Sequence, residues 1–117
     1  MTLRPTVSYE RFDVVKVPFP FTDKAQAKKR PALILSANAP FNALAGHSEL
    51  AMITSAKNSA WPLDVDVTNL TAAGLPAPSV VRMKLFTLDH HLVLGKIGRL
   101  AASDEAAVTR ALEKLCG

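Results

Sequence analysis

The sequence predicts a mainly β fold with a C-terminal α-helix: five to seven short strands forming a small, strongly bent antiparallel sheet or barrel. Short apolar runs rich in β-branched side chains recur along the chain, separated by Pro, Gly and Asn. Gly95 and Gly98 fall inside the last of these runs, where a small barrel needs a bulge or sharp curvature. From Ser103 onward the apolar period becomes helical.

Taken in order, Phe12 to Val17 is the first strand, with Val15, Val17 and Phe19 on one face. Pro18 and Pro20 lack ladder donors, so pairing is expected to end there. Ala32 to Leu35 is a continuous apolar run of the kind buried on both faces of a sheet. Phe41 to His47 reads as a loop, and Leu50 to Ser55 as a strand ending in the hydroxyl pair Thr54-Ser55. Leu63 to Thr68 alternates between apolar and polar, so one face is buried and the other wet. Ala72 to Pro78 is a turn or loop. Ser79 to Leu88 and Leu92 to Leu100 are two further strands, separated by a turn at Asp89-His90-His91. Ser103 is placed to cap the last helix, Asp104 and Glu105 suit its positive end, and Val108, Ala111, Leu112 and Leu115 form its buried face.

The 117 residues are expected to form a single domain, with an N-terminal extension over 1–8 and the helix over 103–115. Composition is that of a globular protein, 49% hydrophobic and 21% charged, which excludes a disordered chain. The lone Cys116 rules out an internal disulfide. No apolar signal region opens the chain and no run is long enough to cross a bilayer, so a cytoplasmic location without membrane contact is expected.

Charge is distributed unevenly. The net +4 is modest, but Lys24, Lys28, Lys29 and Arg30 cluster beside the aromatics Phe19 and Phe21. Cations interleaved with aromatic rings between two strands are what a single-stranded nucleic acid site requires: rings stack on bases, cations meet phosphates. The competing reading is a solvated hairpin tip kept soluble by lysine. Arg30 stands where loop meets strand, so its planar fork is held by rigid backbone, suited to a phosphate and to the added charge of its transition state. Thr54-Ser55 alone is weak evidence, since hydroxyl residues often end strands.

Other candidates carry less. Asp64 and Asp66 are spaced to share an exposed strand face, but no third acid lies near them in sequence. His90-His91 falls in a turn without zinc partners, and His47-Ser48 lacks a nucleophile-elbow context. Trp61 is read as a core plug in preference to a stacking platform. Neither a metal nor another cofactor is indicated.

The ordered set F-D-V-V-K-V-P-F-P-F-T-D, K-K-R-P-A-L-I-L-S, A-M-I-T-S, A-G-L-P-A-P-S-V-V-R and K-L-F-T-L-D resembles the MazF/PemK family of toxins from type II toxin–antitoxin systems, over about Tyr9 to Leu115. The resemblance implies an SH3-like small barrel of the MazF/PemK/CcdB kind, a homodimer, and a metal-independent endoribonuclease acting on single-stranded RNA, usually mRNA, so that translation and growth are inhibited. It implies a cognate antitoxin whose acidic, disordered tail blocks the RNA groove, with DNA reached only through that antitoxin. By the same resemblance Arg30, Thr54, Ser55 and Arg82 are the catalytic positions, and Phe19, Phe21, Lys28 and Lys29 the RNA-binding ones; Lys84 is counted with the RNA-binding residues as a further cation beside Arg82, not by resemblance. Two residues after Arg82, where the family has an aspartate, this chain has Lys84, and the family's Asp-Gln-Ile-Arg pattern is here Met83-Lys84-Leu85-Phe86. Two alternatives stay open: an SH3-like module that binds RNA or protein without cutting, and a CcdB-like gyrase inhibitor.

Overall fold

A computed structural model describes residues 8–20 and 28–117. The elements are β1 (Asp13–Phe19), β2 (Lys28–Ile34), a π-type turn (Asn38–Asn42) leading into α1 (Ala43–Ala45), β3 (His47–Ser55), β4 (Val65–Asp66), α2 (Leu70–Ala73), β5 (Ser79–Asp89), a 3₁₀ turn (His90–Leu92), β6 (Gly95–Arg99) and α3 (Ala102–Cys116). All six strands form one sheet in the order β4-β5-β3-β2-β1-β6, and every pairing is antiparallel. It is a curled half-barrel closed by the C-terminal helix.

The curl buries the central strands on both faces. Val14, Leu33, Ala51, Ile53, Val81 and Met83 pack with Val108 and Ala111 of α3. Val15, Val17, Ala32, Ile34, Leu50 and Leu88 pack on the opposite face with Tyr9. Ala32, Leu33 and Ile34 are fully buried, as their uninterrupted apolar run predicts. Curvature comes from two irregularities. Val14 and Val15 oppose Gly98 and Lys96, so Ile97 is bulged. Met52 and Ala51 oppose Arg82 and Leu85, so Met83 and Lys84 are extra residues in β5. A Cβ on Gly98 would lie 2.3 Å from the Ala73 carbonyl carbon, so the C-terminal end of α2 sits directly on β6 because that residue has no side chain.

Several sequence expectations are corrected. Pairing does not stop at Pro18: it continues through Pro18↔Lys29 and Phe19↔Lys28. The β6 partner of β1 ends at Lys16 and the β3 partner of β2 begins at Ala32, so Pro18 and Pro31 each have a ladder neighbour on one side only, where a missing N–H is tolerated. Phe19 is 45% exposed, unlike Val15 and Val17. The expected loop over Phe41 to His47 is wound around buried Asn42, whose Nδ2 donates to the Tyr9 and Ser36 carbonyls at 2.6 and 2.9 Å. The Leu63 to Thr68 strand shrinks to Val65–Asp66. Leu63 has φ of +65° at its start, and at its end Asp104 accepts from the Thr68 N–H, the Thr68 hydroxyl and the Asn69 N–H. Within 72–78, Ala72 and Ala73 complete α2. Ser103 is not the cap: Ala101 takes that position without a side-chain bond, and α3 begins at Ala102. Leu115 is 43% exposed.

Candidate nucleic-acid interface

Arg30, Thr54 and Ser55 line one cleft of about 560 Å³ at the end of the sheet, together with Lys16, Asn58 and the Gly74–Pro78 segment. The backbone explains their convergence. Arg30 pairs with Val17 near the outer end of β2, one residue before Pro31, and there the β2–β3 ladder has not yet begun. Its side chain is exposed, and no described residue engages its guanidinium in a hydrogen bond or ion pair. β3 ends at Ser55 in a turn closed by the Asn58 N–H donating to the Ser55 carbonyl at 3.1 Å. Strand alternation lapses there, so both hydroxyl residues border the same space.

Asn58 also lines the cleft, and nothing in the sequence pattern marks it. Its Nδ2 donates to Thr54 Oγ1 at 2.6 Å, fixing the hydroxyl while leaving its proton free to donate. The Ser55 Oγ accepts from the Lys57 N–H at 3.2 Å. Among the described residues lining the cleft there is neither a carboxylate nor an imidazole, whereas Lys16 and Arg30 make it cationic. The arrangement is one that receives an anion and donates hydrogen bonds to it.

The remaining predicted residues lie elsewhere. Lys28 and Lys29 are exposed on β2 beyond Arg30, opposite Phe19 and Pro18. They extend the cationic edge but do not line the cleft. Phe21 and Lys24 fall outside the described residues. Arg82 is not in the cleft either. Its Nε donates to Asp64 Oδ1 at 3.2 Å, and its Nη2 donates to Asp64 Oδ2 at 3.0 Å and to the Ser59 carbonyl at 2.6 Å. Lys84 places its Nζ 4.4 Å from the centroid of the Trp61 ring.

Two readings of this region change. Asp64 and Asp66 do not form an exposed acidic ladder, because Asp64 turns to Arg82 and is only 17% exposed. An acid does face Arg82, then, but it arrives from the β3–β4 connection and not from the position of Lys84. Burial alone would push the Asp64 carboxyl up, yet hydrogen bonds from Arg82 and the Trp61 N–H, with the Arg82 charge, hold it below the ordinary carboxylate range. Trp61 is not a core plug: it is 42% exposed. The sequence signal for the Arg82–Asp64 pair was only the presence of two opposite charges 18 residues apart, which alternation alone cannot join.

A separate depression of about 420 Å³ lies between β4 and α3 and contains none of the predicted site residues. Among the described residues no group of three His, Cys, Asp or Glu side chains is placed to hold a metal. No helix among them is long and apolar enough to cross a membrane.

The half-barrel is similar to several solved structures. A MazE–MazF complex (Form-III) from Deinococcus radiodurans has 23% identity and a TM-score of 0.75, over 95% of this chain and 98% of that one. The Mycobacterium tuberculosis toxin MazF-mt6 has 25% identity and a TM-score of 0.67, over 87% and 93%. An endoribonuclease in complex with its cognate antitoxin, from a mycobacterial species, has 17% identity and a TM-score of 0.71, over 94% of each chain. No curated protein sequence gives a significant match. Residues 10–116 match the family described as PemK-like, MazF-like toxin of type II toxin-antitoxin system, and the chain belongs to that family.

Proposed function

We propose that this toxin-family protein is a metal-independent endoribonuclease that cuts single-stranded RNA in the Arg30 cleft and so arrests translation and growth. The observation that carries this reading is the shared cleft of Arg30, Thr54 and Ser55, with a guanidinium left unengaged by any described residue. A planar cation carried at a strand mouth and not engaged by any described residue suits a phosphodiester, and suits better the extra charge of the phosphorane formed from it.

The RNA supplies its own nucleophile. The 2′-oxygen bonds to the adjacent phosphorus as the P–O5′ bond breaks; the 2′ proton passes to solvent water, and water returns a proton to the departing O5′. The products are a 2′,3′-cyclic phosphate and a 5′-hydroxyl, and DNA is spared for want of the 2′-hydroxyl. Arg30 stabilises the dianionic phosphorane. Thr54, held by Asn58, and Ser55 orient the non-bridging oxygens, since an unactivated hydroxyl is a poor base. Lys28, Lys29 and Lys84 supply sequence-independent attraction to the backbone, Phe19 and Phe21 offer rings to bases, and Arg82 acts from beside the cleft.

Of the structures similar to this one, one is a MazE–MazF complex and another an endoribonuclease in complex with its cognate antitoxin. We extend that assembly to this chain: a homodimer in the cytoplasm, silenced by a cognate antitoxin whose acidic tail covers the cationic cleft and which alone contacts DNA. The test is incubation of purified protein with a long unstructured RNA and its DNA counterpart in EDTA. Cleavage of RNA alone, ending in a cyclic phosphate, supports the reading. One observation favours a second reading, a module that grips RNA without cutting it: the absence of a carboxylate or imidazole among the described cleft residues. Retardation of RNA without cleavage would select it.

A further inference from the structure

Trp61 lies on the connection between β3 and β4, three residues beyond Asn58 of the cleft, and is 42% exposed. An indole left at the surface forgoes much of the stabilisation that burying an aromatic brings. Its exposure is held in place by the surrounding bonds. The Trp61 backbone N–H donates to Asp64 Oδ2 at 3.0 Å, and the Trp61 carbonyl accepts from the Asp64 backbone N–H at 3.2 Å. Asp64 is gripped by Arg82 through two bonds, and Arg82 also holds the Ser59 carbonyl at 2.6 Å. The ring therefore stands on a braced turn. Two cations lie over the ring: Lys84 Nζ at 4.4 Å and the Arg82 guanidinium carbon at 5.9 Å from its centroid.

An aromatic ring on a braced turn, partly exposed and with a lysine ammonium over it, is a place for an unpaired base to stack. The base takes the uncovered ring surface while the ammonium meets a phosphate, because every base offers a π-face and every nucleotide a phosphate. We propose that Trp61, with Lys84 against it, is a base-stacking subsite that holds a ribonucleotide close to the phosphate bound at Arg30. This rests on the reading of the cleft as an RNA site. Three peptide links separate Trp61 from Asn58, so their Cα atoms lie within about 11 Å. The stacked base and the bound phosphate therefore belong to nearby nucleotides of one strand. Arg82 is a positioning residue in this arrangement: its Nε and Nη2 are spent on holding the turn. An acidic peptide also has reason to approach Lys84, but it has no need of a braced planar ring.

Trp61 is the only tryptophan, so its fluorescence reports the subsite without a label. The probe is a short unstructured oligoribonucleotide carrying 2′-O-methyl groups, which binds but cannot be cut by 2′-hydroxyl attack. Saturable quenching of Trp61 emission is expected in the unaltered protein and in Arg30→Ala. Trp61→Ala should weaken binding of the same probe, followed by anisotropy, roughly ten- to hundred-fold, and Trp61→Tyr should recover most of it. With cleavable RNA the loss in Trp61→Ala should fall on KM with kcat preserved. Full binding with no quenching, or no loss of affinity in Trp61→Ala, overturns the subsite and leaves the ribonuclease reading standing. Quenching by the probe with no cleavage of natural RNA supports the subsite and overturns the ribonuclease. Quenching by a glutamate-rich peptide and none by RNA overturns the subsite in favour of a protein ligand.

Discussion

Arg82 grips Asp64 through two parallel contacts, Nε to Oδ1 at 3.2 Å and Nη2 to Oδ2 at 3.0 Å, and so ties the β3–β4 connection to β5. The pair is mostly buried, with side chains 12% and 17% exposed. A bidentate pair shielded in this way keeps its geometry where a surface pair would not.

That relationship sets a pH dependence. The Asp64 carboxyl is held below its ordinary range in the folded protein. Its ion pair therefore contributes stability at and above the unfolded carboxylate value, near pH 4, and loses it as pH falls through the lower folded value. Urea midpoints of the unaltered protein should exceed those of Asp64→Asn at neutral pH, and the gap should close below about pH 4. Parallel midpoint curves down to acid pH would contradict the assignment.

Asp104 anchors α3 to the turn before α2. It is 2% exposed and accepts from the Thr68 N–H, the Thr68 hydroxyl and the Asn69 N–H. Asp104→Ala strands those donors, at an expected cost of about 1–3 kcal/mol. The urea midpoint should drop with little change in slope.

Gly98 is required by contact. Its absent Cβ would meet the Ala73 carbonyl carbon at 2.3 Å and oxygen at 2.4 Å, both backbone atoms that cannot swing aside. Gly98→Ala should destabilise by about 3 kcal/mol or more, seen as a lowered thermal midpoint, whereas Gly46→Ala meets no atom within 4 Å and is strained only by its φ of +65°.

Asn58 should matter through Thr54. Removing the amide frees the Thr54 hydroxyl from its 2.6 Å donor. Asn58→Ala is expected to lower kcat for RNA cleavage about as much as Thr54→Ala, and the double variant to lose little more, because the residues act as one unit. Additive losses would separate their roles.

The layers of the fold were legible where one force acted alone. Ala32 to Leu35 read as a buried run and Phe12 to Val17 as a strand rich in β-branched side chains, because burial and backbone preference point the same way there. The amphipathic period likewise revealed α3. Legibility failed where a distant side chain overrode local pattern. Asn42 winds a stretch that looks like loop, and Asp104 and Arg82 cut short a segment that alternates like a strand. Of the cleft, Arg30, Thr54 and Ser55 were named from the sequence, and the structure brings the three to one space. Asn58, Asp64 and the outward Trp61 were not, because a braced turn leaves no periodicity. The bulge that absorbs Met83 and Lys84 was equally silent.

The most direct measurement compares cleavage of an unstructured RNA by the unaltered protein and by Arg30→Ala, each purified and assayed in EDTA. Arg30 as the cation facing the phosphorane requires a fall in kcat of roughly 10²–10³ with RNA binding largely kept. Equal cleavage by the two proteins would contradict it.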